Sequence, residues 1–151
     1  MGKAVLISIR PKWCELIASG KKTIEVRKTA PKLPVPFKCY IYESQGSYRA
    51  GNEAYNYLVE GRGRRKVIGE FICDGIERYA KFGYVGVVPR YMKASDAGYQ
   101  ATEISFSSVQ LTTEELEDYG TGSPLFGWHI SDLVIYDKPK ELGDFHKVCD
   151  E

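Results

Sequence analysis

The hydrophobic period of the chain changes from about 3.6 to 2 between Ser19 and Thr23, so a helix must feed a strand with almost no linker. On the helical side Trp13, Leu16 and Ile17 recur at i, i+3 and i+4, and Pro11 stands where a first turn tolerates a missing amide hydrogen. Gly20 supplies the left-handed residue that ends the helix at about Ser19. Lys21 and Lys22 follow, where positive charge complements the negative end of the helix dipole. On the strand side Ile24 and Val26 alternate with Thr23, Glu25 and Arg27, the pattern of a strand buried on one face. Residues 3–9 are β-branched and apolar, so the chain opens as strand, helix, strand.

The remaining segments are short and strongly punctuated. KTAPKLPVP, with prolines at 31, 34 and 36, cannot be a central strand or a helix and reads as a crossing loop. Phe37–Glu43 resumes as a strand. Residues 44–66 are polar and glycine-rich, a surface excursion with room for one short helix from Asn52 to Val59. Val67–Arg78 reads as a long strand with Gly69 and Gly75 at bulge positions. No clear period runs through 79–101, and strand character returns over Ile104–Val109. Thr112 to Glu115 form a capping-box pattern that starts a helix running to Tyr119, closed by Gly120. A final strand or strand pair spans Phe126–Tyr136, with KPKELGDF as a loosely packed tail. Several short strands with two or three short helices indicate a mixed α+β barrel, and a chain of 151 residues has room for one core, hence a single domain over 1–151.

Charge and cysteine usage narrow the function. With 21 basic and 20 acidic residues the net charge is +1, so any attraction to a polyanion must be local. The start lacks the long apolar run and cleavage site of a signal peptide, and no stretch approaches the roughly 20 apolar residues of a membrane span. Cys14, Cys39, Cys73 and Cys149 lack zinc-knuckle or redox spacing and read as reduced core thiols of a cytoplasmic protein. His129 and His146 are too few for a histidine-based metal cluster, and no metal or cofactor is expected.

The most informative stretch is Gly20-Lys21-Lys22-Thr23-Ile24-Glu25-Val26-Arg27. Strand geometry puts Glu25 and Arg27 on one face, about 7 Å apart. Spacing alone favours an exposed ion pair beside a lysine at a helix end, worth at most about 1 kcal/mol. Gly20-x-Lys22-x-x-Glu25-x-Arg27, however, resembles the GxKxxExR signature of the ASCH family, which is PUA-like in fold. The preceding strand and helix, VIGEF at 67–71 and PLFGWHI at 124–130 are similar to that family's barrel strands.

The resemblance implies a small PUA-like β-barrel with short flanking helices and a cleft lined by Lys22, Glu25 and Arg27 that takes RNA or a modified nucleoside. Arg27 suits a phosphate or a base edge, and Glu25 an exocyclic amine. One branch of the family hydrolyses N4-acetylcytidine with a lysine at the Lys22 position and a threonine nucleophile where this chain has Glu25. Direct nucleophilic attack therefore lacks its hydroxyl, Thr23 being out of register. Glu25 as general base with Lys22 on the oxyanion is the hydrolase alternative, amidohydrolase or ribonuclease. A third catalytic glutamate in that branch has three candidates here, Glu114, Glu115 and Glu117, with no motif to choose among them.

Weaker signals accompany the octet. Arg62, Arg64 and Arg65 with Lys66, preceded by Tyr48, Arg49, Tyr55 and Tyr57, suit single-stranded RNA, although Gly61 and Gly63 fit an ordinary solvated turn equally well. Trp128 could stack on a base, but an aromatic in an apolar strand is more often core, and the same holds for Trp13. His129, Ser8 and Tyr42 are minor cleft candidates. Oligomeric state is not encoded in any of these features.

Overall fold

The computed structural model describes residues 3–85, 88–95 and 100–145. Its elements run β1 (Ala4–Ile9), α1 (Pro11–Ala18), β2 (Ile24–Arg27), β3 (Phe37–Glu43), β4 (Ser47–Gly51), β5 (Asn56–Glu60), β6 (Lys66–Val85), β7 (Val88–Ala94), β8 (Ala101–Thr102), α2 (Phe106–Val109), α3 (Thr113–Gly120) and β9 (Leu125–Lys140), then a 3-10 turn at Leu142–Asp144.

Seven of these strands form one sheet in which β6 is the hub. Its first part lies between β3 and β9, and its later residues pair with β7, which carries β8. β1 lies parallel to β3, a pairing that requires a crossover, and α1 with β2 supplies it. β2 runs antiparallel to β9 at the other end. The expected small barrel is not closed among the described residues, where β1 and β2 do not pair with each other. The architecture is thus mixed α+β, a large open sheet with three short α-helices.

Local sequence explains the elements that position this seam. Pro11 opens α1, Cys14 and Ile17 are its buried positions, and Gly20 adopts φ +80° just past the end. The Lys22 N–H then donates to the Leu16 carbonyl at 3.0 Å, which turns the chain inward. Thr23 locks the turn through its backbone, donating to Ser108 and accepting from Ile130. Against β9, β6 has register shifts beside Gly69 and Gly75.

Two apolar clusters fill the interior. One joins Ile7, Ile9, Cys14, Ile17, Phe37, Cys39, Ile41, Ile68, Phe71, Cys73 and Trp128. The other joins Ile24, Val26, Tyr79, Tyr91, Ile104, Val109, Leu116 and Leu125. Cys14, Cys39 and Cys73 are buried free thiols, while Cys149 and His146 lie outside the described residues. No described helix is long and apolar enough to cross a membrane.

Four segments differ from their sequence reading. Residues 47–60 form the β4–β5 hairpin instead of holding a helix, because Asn52 Oδ1 accepts from the Ala54 and Tyr55 amides and makes a turn where the short helix was expected to begin. The region from 79 continues β6 and turns back as β7, its alternation obscured by a register shift between Lys81 and Tyr84. Phe106–Val109 is one helical turn, not a strand, which lets both Ile104 and Val109 reach the second cluster. The KPK of the tail belongs to β9, and Phe145 packs against Tyr40 with ring centroids 4.8 Å apart and planes tilted by 59°.

Close packing at β9 gives a direct test. A Cβ added to Gly127 would lie 2.4 Å from the Tyr79 hydroxyl and 2.9 Å from Ile24 Cγ2, and Tyr79 is fully buried with its hydroxyl held on Glu77 at 2.6 Å. Gly127→Ala is expected to lower stability by about 1–3 kcal/mol through overpacking, read as a lower urea midpoint. An unchanged midpoint would contradict this packing.

Candidate functional site

The open seam between β1 and β2 holds a cleft of about 420 Å³, lined by residues of β1, α1, β2 and α3. That volume lies in the range of roughly 300–1,000 Å³ typical of small-molecule sites. Because Ile24 and Val26 enter the second cluster, Glu25 between them must point the other way, toward α1 and the seam. The strand is therefore buried on both faces, not one. Glu25 is only 5% exposed, and Trp128 stands opposite it in the β2–β9 ladder.

Lys22 is 2% exposed, unusual for an ammonium group. Its Nζ donates to the Val109 carbonyl at the end of α2, lies 3.7 Å from Glu25 Oε1, and sits 5.3 Å from the centre of the Trp13 ring. Arg27 reaches the other oxygen, Nη1 lying 3.4 Å from Glu25 Oε2 and donating to the Ser8 carbonyl at 2.9 Å. That last bond spans the gap that backbone pairing leaves open. The Arg27 side chain is 27% exposed, and its Nη2 and Nε have no protein partner among the described residues.

Burial dominates the titration of the pair. It pushes Glu25 above the ordinary carboxylate range, against the pull of Lys22 and Arg27, and it pushes Lys22 below the ordinary amine range, against Glu25 and Glu115. Such a carboxylate accepts a proton more readily than an exposed one, and the lysine ammonium gives up its proton more readily than usual. Burial, then Glu43 and Glu25, also push the Cys14 thiol up to about 12, so it is no nucleophile.

The structure brings together Lys22, Glu25 and Arg27, with Ser8 on the wall. It separates the others. Trp128 lies in the core, edge-on to Phe37 at 5.8 Å with its indole N–H donating to the Thr29 carbonyl, so it offers no face to a ligand. Arg62, Arg64 and Arg65 are exposed at the root of the hairpin and do not line the cleft. His129 lies 3.4 Å from Glu77, and neither it nor Tyr42 lines the cleft.

Sequence reasoning missed Arg10, Asp118 and Tyr119, read the cleft-lining Trp13 as core, and could not choose among three glutamates. Of those three, Glu115 lines the cleft; its carboxylate caps the Thr112 amide and lies 3.9 Å from Lys12. Glu115, Asp118 and Tyr119 recur at i, i+3 and i+4, a polar helical stripe that was readable beside the buried Leu116. Among the described residues no group of three or more His, Cys, Asp or Glu side chains is placed to hold a metal.

Comparison with known proteins follows the same lines. The ASCH domain model matches residues 7–107. Two crystal structures of ASCH from Zymomonas mobilis are similar in fold. A tyrosine-to-phenylalanine mutant is 20% identical at a TM-score of 0.58, covering 94% of this chain and 78% of that one. The protein without a named substitution is 18% identical at 0.56, covering 91% and 73%. No curated protein sequence matches the chain.

The buried triad predicts strong coupling. Removing Lys22 leaves a buried carboxylate with one partner, so Lys22→Met is expected to cost about 3 kcal/mol in chemical denaturation. Adding Glu25→Gln removes the stranded charge, and the double variant should lose at least about 1 kcal/mol less than the sum of the singles. Strict additivity would mean that the two side chains do not interact.

Proposed function

Because the chain belongs to the ASCH domain family, we propose that it binds a modified or unpaired nucleoside, free or within single-stranded RNA, in the cleft between β1 and β2. The supporting observation is the Lys22–Glu25–Arg27 line of charges, buried at one end and opening at Arg27 into a space of about 420 Å³. Buried charges in a row are a poor way to stabilise a fold, since apolar replacements of such groups are often neutral or better. Recognition of a polar, planar ligand gives them a purpose.

The chemistry around the cleft fits such a ligand. Glu25 can accept from an exocyclic amine, and the unpartnered edge of Arg27 can donate to a carbonyl or phosphate. Trp13 and Tyr119 supply aromatic surface on which a base can lie. In this reading the fold is a PUA-like barrel opened at one seam, and 1–151 acts as one unit, because β9 lies past residue 107 yet sits between β2 and β6.

One observation favours a hydrolytic second reading, the raised Glu25 beside the lowered Lys22. Glu25 would take a proton from water as the oxygen adds to an amide carbonyl, with Lys22 or Arg27 facing the oxyanion. Collapse would break the C–N bond and return the proton to the departing amine, releasing a carboxylic acid and cytidine from an N4-acetylcytidine-like substrate. No hydroxyl nucleophile stands at the Glu25 position, and a ribonuclease reading has no second proton-transfer group assigned to it.

Calorimetric titration with cytidine, uridine and N4-acetylcytidine tests the binding reading. At least one should bind, and Glu25→Gln and Arg27→Ala should each weaken it at least about tenfold, the scale of a lost charge-assisted hydrogen bond. An accepting carboxylate must be ionised, so affinity should fall as pH drops through the raised Glu25 value, beginning above the ordinary 4.5. Affinity indifferent to both substitutions would remove the cleft from consideration. Chromatography of the same mixtures for released cytidine decides the hydrolytic reading.

A further inference from the structure

We infer that the β4–β5 hairpin is an arm that holds the single-stranded RNA flanking a nucleotide seated in the cleft; this rests on the nucleoside-binding reading and extends it. Among the described residues the hairpin strands pair only with each other, and a lone two-stranded ribbon is marginal in water. It nevertheless exposes large apolar side chains: Tyr55 is 72% exposed, Leu58 63% and Tyr57 49%. Tyr55, in the turn, and Tyr57, in β5, have ring centroids 5.9 Å apart and planes tilted by 45°, neighbouring aromatic surfaces of the kind on which unstacked bases lie.

Charge separates RNA from a protein partner. Residues 44–66 hold five of the 21 basic residues and only two of the 20 acidic ones, so this segment carries +3 while the whole chain carries +1. The remainder is therefore negative, and the attraction to a polyanion sits on this arm. Arg62, Arg64 and Arg65 are all exposed at its root.

The root also joins the cleft wall. Ser44 donates its N–H to the Ile9 carbonyl at 2.9 Å, and Cβ atoms at Gly46 and Gly63 would come within 2.9 and 2.8 Å of the Pro11 ring. Ile9 and Arg10, the residues preceding that proline, line the cleft. The three arginines follow the hairpin at its root, next to Pro11, and the tyrosines lie toward its turn, so on this proposal a strand leaving the cleft past Arg10 would meet them in that order. The arm thus explains how a small, nearly neutral protein could distinguish a nucleotide within RNA from the free nucleoside.

The test compares a fluorescein-labelled single-stranded RNA dodecamer, followed by anisotropy, with cytidine and N4-acetylcytidine followed by calorimetry. Tyr55→Ala with Tyr57→Ala should weaken RNA binding at least about tenfold, the scale of a lost base stack. Arg62→Ala, Arg64→Ala and Arg65→Ala together should flatten the log–log salt slope by about 2, from roughly 0.7 per phosphate contact. Neither set should change nucleoside affinity. RNA affinity and salt slope equal to the unsubstituted protein's would overturn the arm while leaving the cleft reading intact. Loss of nucleoside binding in the hairpin variants would also overturn it, since the arm would then belong to the cleft. Dimers in sedimentation that vanish with the tyrosine variants would assign the face to a second copy instead.

Discussion

The ammonium group of Lys22 is the contact on which the seam depends. Taken out of water, it needs partners on every side, and it finds the Val109 carbonyl, the Glu25 carboxylate and the Trp13 ring. Those partners belong to α2, β2 and α1, so one side chain ties together three elements that the backbone bonds of Lys22 and Thr23 also bring to this corner. Glu25 in turn fixes Arg27, and Arg27 reaches across to β1. The line of charges thus connects β2 to β1 without a backbone ladder, beside the cleft.

That substitution of side-chain for backbone bonding has a chemical consequence. Backbone pairing would have filled the seam with satisfied amides, offering little to a ligand. A guanidinium edge and a buried carboxylate with aromatic neighbours offer directional hydrogen bonds in a partly dry site, where they count for more than in water. The two apolar clusters on either side of β2 make this possible, since Ile24 and Val26 anchor the strand in one while Glu25 faces the other.

Much of this was legible where the determinants are local. Pro11, the Trp13–Ile17 stripe and Gly20 announce α1, and Thr112 with Glu115 announces α3, whose capping box is present as both of its hydrogen bonds. The period of two identified β2 but not the burial of its second face, because the cover comes from α1 and depends on tertiary folding. The two tryptophans show the same limit: both are aromatic residues in apolar patterns, yet Trp13 lines the cleft and Trp128 fills the core. Asn52 misled in the hairpin, since its side chain serves a turn as readily as a helix start. The Glu115–Asp118–Tyr119 face gained meaning only once α3 was seen to lie across the seam.

Those two tryptophans also provide the most direct test of a ligand seated at the buried triad. In a 15N-labelled protein each indole N–H gives its own resonance, one beside the Lys22 ammonium and one bonded to Thr29 in the core. Titration with a cytidine nucleoside should shift the Trp13 indole signal progressively while the Trp128 signal stays in place. A shift confined to Trp128, or no movement of either at saturating nucleoside, would contradict the account.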